Sequence, residues 1–123
     1  MIQKLMRKLW QADTLLSVAF KLLYPIVRIF DPPEKLIDPF VKEGQVVVDL
    51  GCATGYYALA LADSVGSAGK VYAVDKNKKS IRALEKKVEK GDYRNIEAHA
   101  SSAANLSFIK DGSVDFVFAN TLL

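Results

Sequence analysis

The chain has one cysteine, Cys52, and one histidine, His99, among its 123 residues. A lone cysteine excludes an internal disulfide and points to a reducing, cytoplasmic setting. One Cys and one His also leave too few ligands for a structural zinc site, and no partner set for a Cys–His nucleophile. Cys52 has no basic neighbour in sequence to activate it, so it reads as a small packing residue, and His99 reads as structural. Long apolar runs are missing too. The most apolar stretch, Thr14 to Phe30, is interrupted by Lys21, Pro25 and Arg28. It is too short to span a bilayer and lacks the small-residue cleavage pattern of a signal peptide.

A strong excess of one charge is also absent. Lys and Arg number 17 against 14 Asp and Glu, a net charge of +3. Residues 1 to 30 carry Lys4, Arg7, Lys8, Lys21 and Arg28 against Asp13 alone. The rest of the chain is close to neutral, so the total implies no broad nucleic-acid-binding face. The basic excess belongs to an N-terminal arm, residues 1 to 31, placed ahead of a domain over residues 32 to 123. Ile2, Leu5, Leu9, Leu16, Phe20 and Leu23 predict a helix in that arm up to Pro25. Three roles stay open for it: a lid or packing helix over the site, which is preferred, a contact with a partner, or peripheral contact with a membrane surface through Lys4, Arg7, Lys8 and Trp10.

Past the arm, Asp31-Pro32-Pro33 predicts a capped helix start and a short helix over Glu34 to Val41. Val46 to Leu50 is a β-branched run of the kind buried on both faces of a parallel sheet. Gly51 to Gly55 forms a turn, and Tyr56 to Val65, rich in alanine, a buried helix. Val71 to Asp75 is a second strand. Asn77 to Lys90 is an amphipathic helix with Ile81, Leu84 and Val88 on one face and its lysines solvated. Asn95 to Ala100 and Val114 to Ala119 complete four strands, with a loop or broken helix from Leu106 to Ser113 between them. Strands alternating with helices at these lengths predict an α/β, Rossmann-like parallel sheet of order 3-2-1-4.

The informative segment is Val46-Val47-Val48-Asp49-Leu50-Gly51-Cys52-Ala53-Thr54-Gly55. In an open parallel sheet, ligands bind beyond the carboxyl ends of the strands, next to the first strand. Glycines let the chain turn sharply there, the helix start can hold a negative group, and Thr54 is the expected cap. A dinucleotide fingerprint fails at Ala53, where glycine is wanted, and at Tyr56, where a small residue is needed. Asp49 at the strand end opposes a diphosphate and suits a cation. Asp75 ends the second strand and can accept from both hydroxyls of a ribose. The two acids together ask for a ribose bearing a positive group without a diphosphate, as in S-adenosylmethionine.

Asp49-Leu50-Gly51-Cys52-Ala53-Thr54-Gly55 resembles the first motif of the class I S-adenosylmethionine-dependent methyltransferases. Ala73-Val74-Asp75-Lys76-Asn77 resembles their acidic second motif, and Leu106 to Phe118 the loop and fourth strand that follow. The resemblance covers about residues 33 to 123. It implies that Asp49 lies near the methionine amino end, that Gly51, Ala53 and Gly55 line the methionyl part, and that Asp75 binds the ribose. It further implies Lys76 along the adenine, Ser102 at its edge where the family commonly has Asp, and Asn120 between cofactor and substrate. Ala53 replaces the family's usual middle glycine.

The implied activity is methyl transfer, governed mainly by proximity and alignment. The resemblance names no catalytic residue and no metal. The acceptor is unidentified, with a small molecule preferred. Asn120-Thr121-Leu122-Leu123 does not match the Asn/Asp-Pro-Pro-Tyr/Phe motif of amino-methylating DNA enzymes. The chain stops just past the fourth strand of a sheet that has seven in the family, so it is expected to be the cofactor-binding half. The alternative is a truncated or split module that binds without catalysis, and an NAD-binding domain is third. An apolar fourth strand left at the edge is expected to make the chain self-associate.

Overall fold

A computed structural model of the protein describes residues 33–119. The helix expected in residues 1 to 24, the Asp31 cap, the rest of the arm and Asn120 lie outside the described residues. The elements are α1 (Glu34–Ile37), β1 (Val46–Leu50), α2 (Tyr56–Val65), β2 (Lys70–Asp75), α3 (Lys78–Lys90), β3 (Ile96–Ala100) and β4 (Phe116–Phe118). The four strands form one parallel sheet in the order β3-β2-β1-β4. This is the order expected, a Rossmann-like arrangement in which β1 is an inner strand.

The β-branched run of β1 explains its central place. Val47 and Val48 are buried on opposite faces, and β1 pairs with β2 on one side and β4 on the other. Parallel strands of this kind need apolar side chains on both faces. The alanines of α2 let that helix lie close to the sheet: Ala58, Ala60 and Ala62 are buried together with Leu61 and Val65. Ile81 and Leu84 are the buried residues of α3. Its first turn is capped by Asn77, whose Oδ1 accepts from the N–H groups of Lys79 and Ser80 at 3.0 and 3.1 Å. That cap sets the helix start one residue later than the hydrophobic pattern does.

Several boundaries differ by a residue or more from those read in the sequence. The α1 helix closes at Ile37, and Phe40 and Val41 continue as a turn, their N–H groups bonding to the Ile37 carbonyl. Strand β4 covers Phe116–Phe118 and not Val114 to Ala119. At its start, Asp115 Oδ2 accepts from Val46 N–H at 2.8 Å while Asp115 N–H donates to Val46 O at 2.8 Å. A side chain thus takes one of the positions a strand backbone would occupy. α3 ends at Lys90 with Gly91 as its cap (φ −87), and Asp92 takes the left-handed conformation (φ 53). A Cβ on Gly91 would meet the Tyr93 ring at 2.6 Å.

The segment from Ser101 to Asp115 crosses from β3 to β4 without a helix. Its anchor is Phe108, whose ring stacks on His99 with centroids 3.7 Å apart. His99 Nε2 lies 2.7 Å from Glu97 Oε2, and Lys70 Nζ lies 3.1 Å from Glu97 Oε1. His99 is therefore structural, as its solitary occurrence implied. His99→Ala is expected to cost about 1 kcal/mol, the usual worth of such a ring pair, and to expose Ser101 to Asp115 to limited proteolysis. Unchanged cleavage there would show that the stack does not hold the crossover.

Candidate functional site

The carboxyl ends of β1 and β2 gather the residues singled out in the sequence. Asp49 shares a face of β1 with Val47 and is aligned with Ala73 of β2. It is 2% exposed, the one charged residue among the buried ones described. Its Oδ2 has no hydrogen-bond partner. Burial, with the Asp75 carboxylate adding to it, pushes the Asp49 carboxyl up to about 7. Such an orphan oxygen is costly in a folded chain and marks a place where a ligand donor belongs.

The turn from Gly51 to Gly55 is held from β2 and α3. Gly51 N–H and Cys52 N–H both donate to Val74 O, at 2.7 and 3.0 Å. Ala53 N–H donates to Asp75 Oδ2 at 2.9 Å, and Gly55 N–H closes the turn on Cys52 O at 2.9 Å. Ala53 sits at φ 49. The conformation that suits a glycine is thus retained with alanine in place, at a cost on the order of 1 kcal/mol.

Gly55 is itself the N-cap of α2, at φ 97, and no side chain caps that helix. The expectation that Thr54 caps α2 is therefore corrected. With Gly55 in the cap position, Thr54 lies one residue outside the helix, and it contributes its carbonyl instead, accepting from Lys87 Nζ at 3.0 Å. A Cβ on Gly55 would run into Leu84 Cδ1. Leu84 and Lys87, one helical turn apart on α3, were not identified from the sequence as neighbours of the turn. Leu84 reads as ordinary core there and Lys87 as part of a solvated lysine face. Only the packing of α3 brings them to the turn.

Asp75 accepts two backbone N–H bonds, from Ala53 on Oδ2 and from Asn77 on Oδ1 at 2.8 Å. One lone pair on each oxygen remains for a diol. Lys76 follows it and is exposed. Ser102 is exposed, in the turn after β3. Ser101 N–H ties that turn to Asp75 O at 3.0 Å, while Ser102 Oγ accepts from Ala104 N–H at 3.1 Å. The hydroxyl expected at the adenine edge is thus engaged in its own turn. Cys52 is buried, and burial, with Asp49 and Asp75 adding to it, raises its thiol so far that it stays protonated. It has no nucleophilic role. Tyr57 packs against Phe118 at 4.9 Å between ring centroids and touches the core, and Tyr56 packs edge-on to it.

The arrangement offers a buried acceptor for a cation, an acid for a diol, and a glycine turn between them. Residues 41–123 match the family described as "Methyltransferase domain". Demethylmenaquinone methyltransferase of Bacillus velezensis is 39% identical over 77 residues, 63% of this chain and 33% of that protein. The enzyme of the same name from Geobacillus stearothermophilus is 34% identical over the same length, 32% of that protein. The chain thus spans about a third of the length of the curated relatives it matches. Among solved structures, a SAM-dependent methyltransferase from Aquifex aeolicus superposes with a TM-score of 0.66 at 34% identity, over 78% of this chain and 55% of that one. Fibrillarin from Aeropyrum pernix, with natively bound S-adenosyl-L-methionine, superposes with a TM-score of 0.59 at 29% identity, over 67% of this chain and 36% of that one. A sheet of order 3-2-1-4 and a family match over more than half its length settle the membership: the chain belongs to the class I S-adenosylmethionine-dependent methyltransferases.

Proposed function

We propose that residues 32 to 123 are the cofactor-binding part of an S-adenosylmethionine-dependent methyltransferase, with Asp49 as acceptor for the ammonium end of the cofactor and Asp75 as acceptor for its ribose. The observation that carries this is the unpartnered Oδ2 of buried Asp49 beside the glycine turn. A dinucleotide phosphate would meet a carboxylate there, whereas an ammonium group satisfies it. Gly51, Ala53 and Gly55 supply the wall of the methionyl part. Lys76 is assigned to the adenine side, Ser102 to the adenine edge and Asn120 to the substrate side. S-adenosylmethionine supplies an electrophilic methyl carbon, and the protein's part is to hold it in line with the acceptor and keep water out.

The curated relatives name demethylmenaquinone, which makes it the first acceptor to test. A second reading is a module that binds the cofactor without turning over any acceptor by itself. Calorimetric titration with S-adenosylmethionine and with NAD tests the proposal. Binding of the first and not the second is expected, with Asp49→Asn weakening it at least tenfold at pH 8. NAD binding, or no effect of Asp49→Asn, would overturn the assignment. Methyl transfer to demethylmenaquinone by the 123-residue chain would exclude the module reading.

Self-association is proposed through β4. It pairs with β1 alone among the described strands, and Val117 on it is half exposed. Unpaired strand edges template pairing with another chain. Light scattering should find a dimer or larger species, reduced by Val117→Lys. A monomer at high concentration would count against it.

A further inference from the structure

We infer that Asp75 is a positioning residue for the glycine turn: the carboxylate assigned to the ribose also holds the turn that faces the methionyl end, and so couples the two ends of one site. The inference rests on the reading above for its ligand, but the clamp is present without one. Each carboxylate oxygen is tied to a different loop. Oδ2 takes the N–H of Ala53, in the turn after β1, and Oδ1 takes the N–H of Asn77, in the turn before α3.

The bond to Ala53 falls where the turn is most strained. Ala53 is the turn residue with a Cβ held at positive φ, flanked by the glycines Gly51 and Gly55 two residues to either side. The neighbouring amides of Gly51 and Cys52 are anchored to the Val74 carbonyl, and Gly55 to Cys52. Ala53 is anchored by the Asp75 side chain. A charge-assisted bond is about twice as strong as a neutral one, and it falls on the alanine held in the left-handed conformation. With one bond on each oxygen, the carboxylate keeps its remaining lone pairs. It can accept from a diol without releasing the turn. An amide in its place has one oxygen and offers an NH2 group to the other backbone N–H, so one loop is let go.

A carboxylate that only binds ribose would have no effect on the turn in the free protein, nor on a cofactor analogue without ribose hydroxyls. The test compares the parent 123-residue chain with Asp75→Asn. Amide exchange in the free protein is expected to quicken at least tenfold at Ala53, with Val47 and Val71 of the inner sheet within about threefold. That internal control shows the fold intact, and Asp75→Ser serves the same purpose should the amide variant not fold. A titration with the analogue of S-adenosylmethionine lacking both ribose hydroxyls should then show at least fivefold weaker binding to the variant. Unchanged exchange at Ala53, or equal affinity of the analogue for both proteins, overturns the inference. A parent chain that binds neither cofactor nor analogue would refute the ligand reading instead, and exchange at Ala53 would still decide whether Asp75 holds the turn.

Discussion

The Asp49→Asn protein will be more stable than the parent at pH 8, by about 2 kcal/mol, and less stable than the parent near pH 4. The parent's Asp49 carries a carboxyl raised from 3.8 to about 7, with burial the main cause and Asp75 adding to it. Well below pH 4 the acid is protonated in both folded and unfolded chains, and near pH 4, where the unfolded chain has only begun to lose the proton, it still costs little. Between 4 and 7 the folded protein holds a proton that the unfolded chain gives up, so stability falls as pH rises. Above 7 the whole cost is present, on the order of 4 kcal/mol at 1.36 kcal/mol per unit. An asparagine removes the charge but brings a buried amide of its own to satisfy, which takes back about half. Urea unfolding of both proteins from pH 4 to 8 measures this directly. A parent whose stability does not fall over that range would contradict the account.

The same carboxyl links cofactor affinity to pH in the opposite direction. An ammonium group pairs with the ionised acid only, so binding below pH 7 must expel a proton. S-adenosylmethionine is expected to bind about tenfold more weakly at pH 6 than at pH 8. The Asn variant should show weak binding without that slope. A site that destabilises the chain and strengthens its ligand is ordinary for functional positions, where strain is offset by the rest of the fold.

The second large effect is at Gly55. Gly55→Ala is expected to cost about 2 to 4 kcal/mol. Part is the backbone, since φ 97 is a conformation that an L side chain resists. Part is contact: the new methyl group lands on Leu84 Cδ1, and Leu84 is fully buried. Overpacking of this kind typically costs 1 to 3 kcal/mol. Gly44→Ala separates the two parts. Gly44 is also left-handed, at φ 85, but a Cβ there meets nothing within 4 Å. Its cost should stay near 1 kcal/mol. Equal urea midpoints for the two variants would show that Leu84 yields and that contact contributes nothing.

Much of this architecture was legible in the residues themselves. The run Val46 to Leu50 announced an inner strand, and Tyr56–Val65 is the helix that the alanine-rich stretch predicted. The acids at the ends of β1 and β2 could be assigned to strand ends because strand length and turn chemistry are local properties. Boundaries failed where a side chain from elsewhere decided them. Asp115 replaces a ladder bond at the start of β4.

The sequence by itself determined the class of fold, the family, the cofactor and the pair of acids, because each is written in short segments whose spacing reflects one turn or one strand. Only the tertiary structure decided that Thr54 does not cap α2, that Leu84 lies under Gly55, and that Asp75 reaches back to Ala53. Those facts depend on how α3 and β2 pack against a turn lying between 20 and 35 residues earlier in the chain. No local pattern encodes such a distance. The burial that leaves Asp49 without a partner is of the same kind. Its charge was plain in the sequence, but its cost is set by neighbours that only folding brings together.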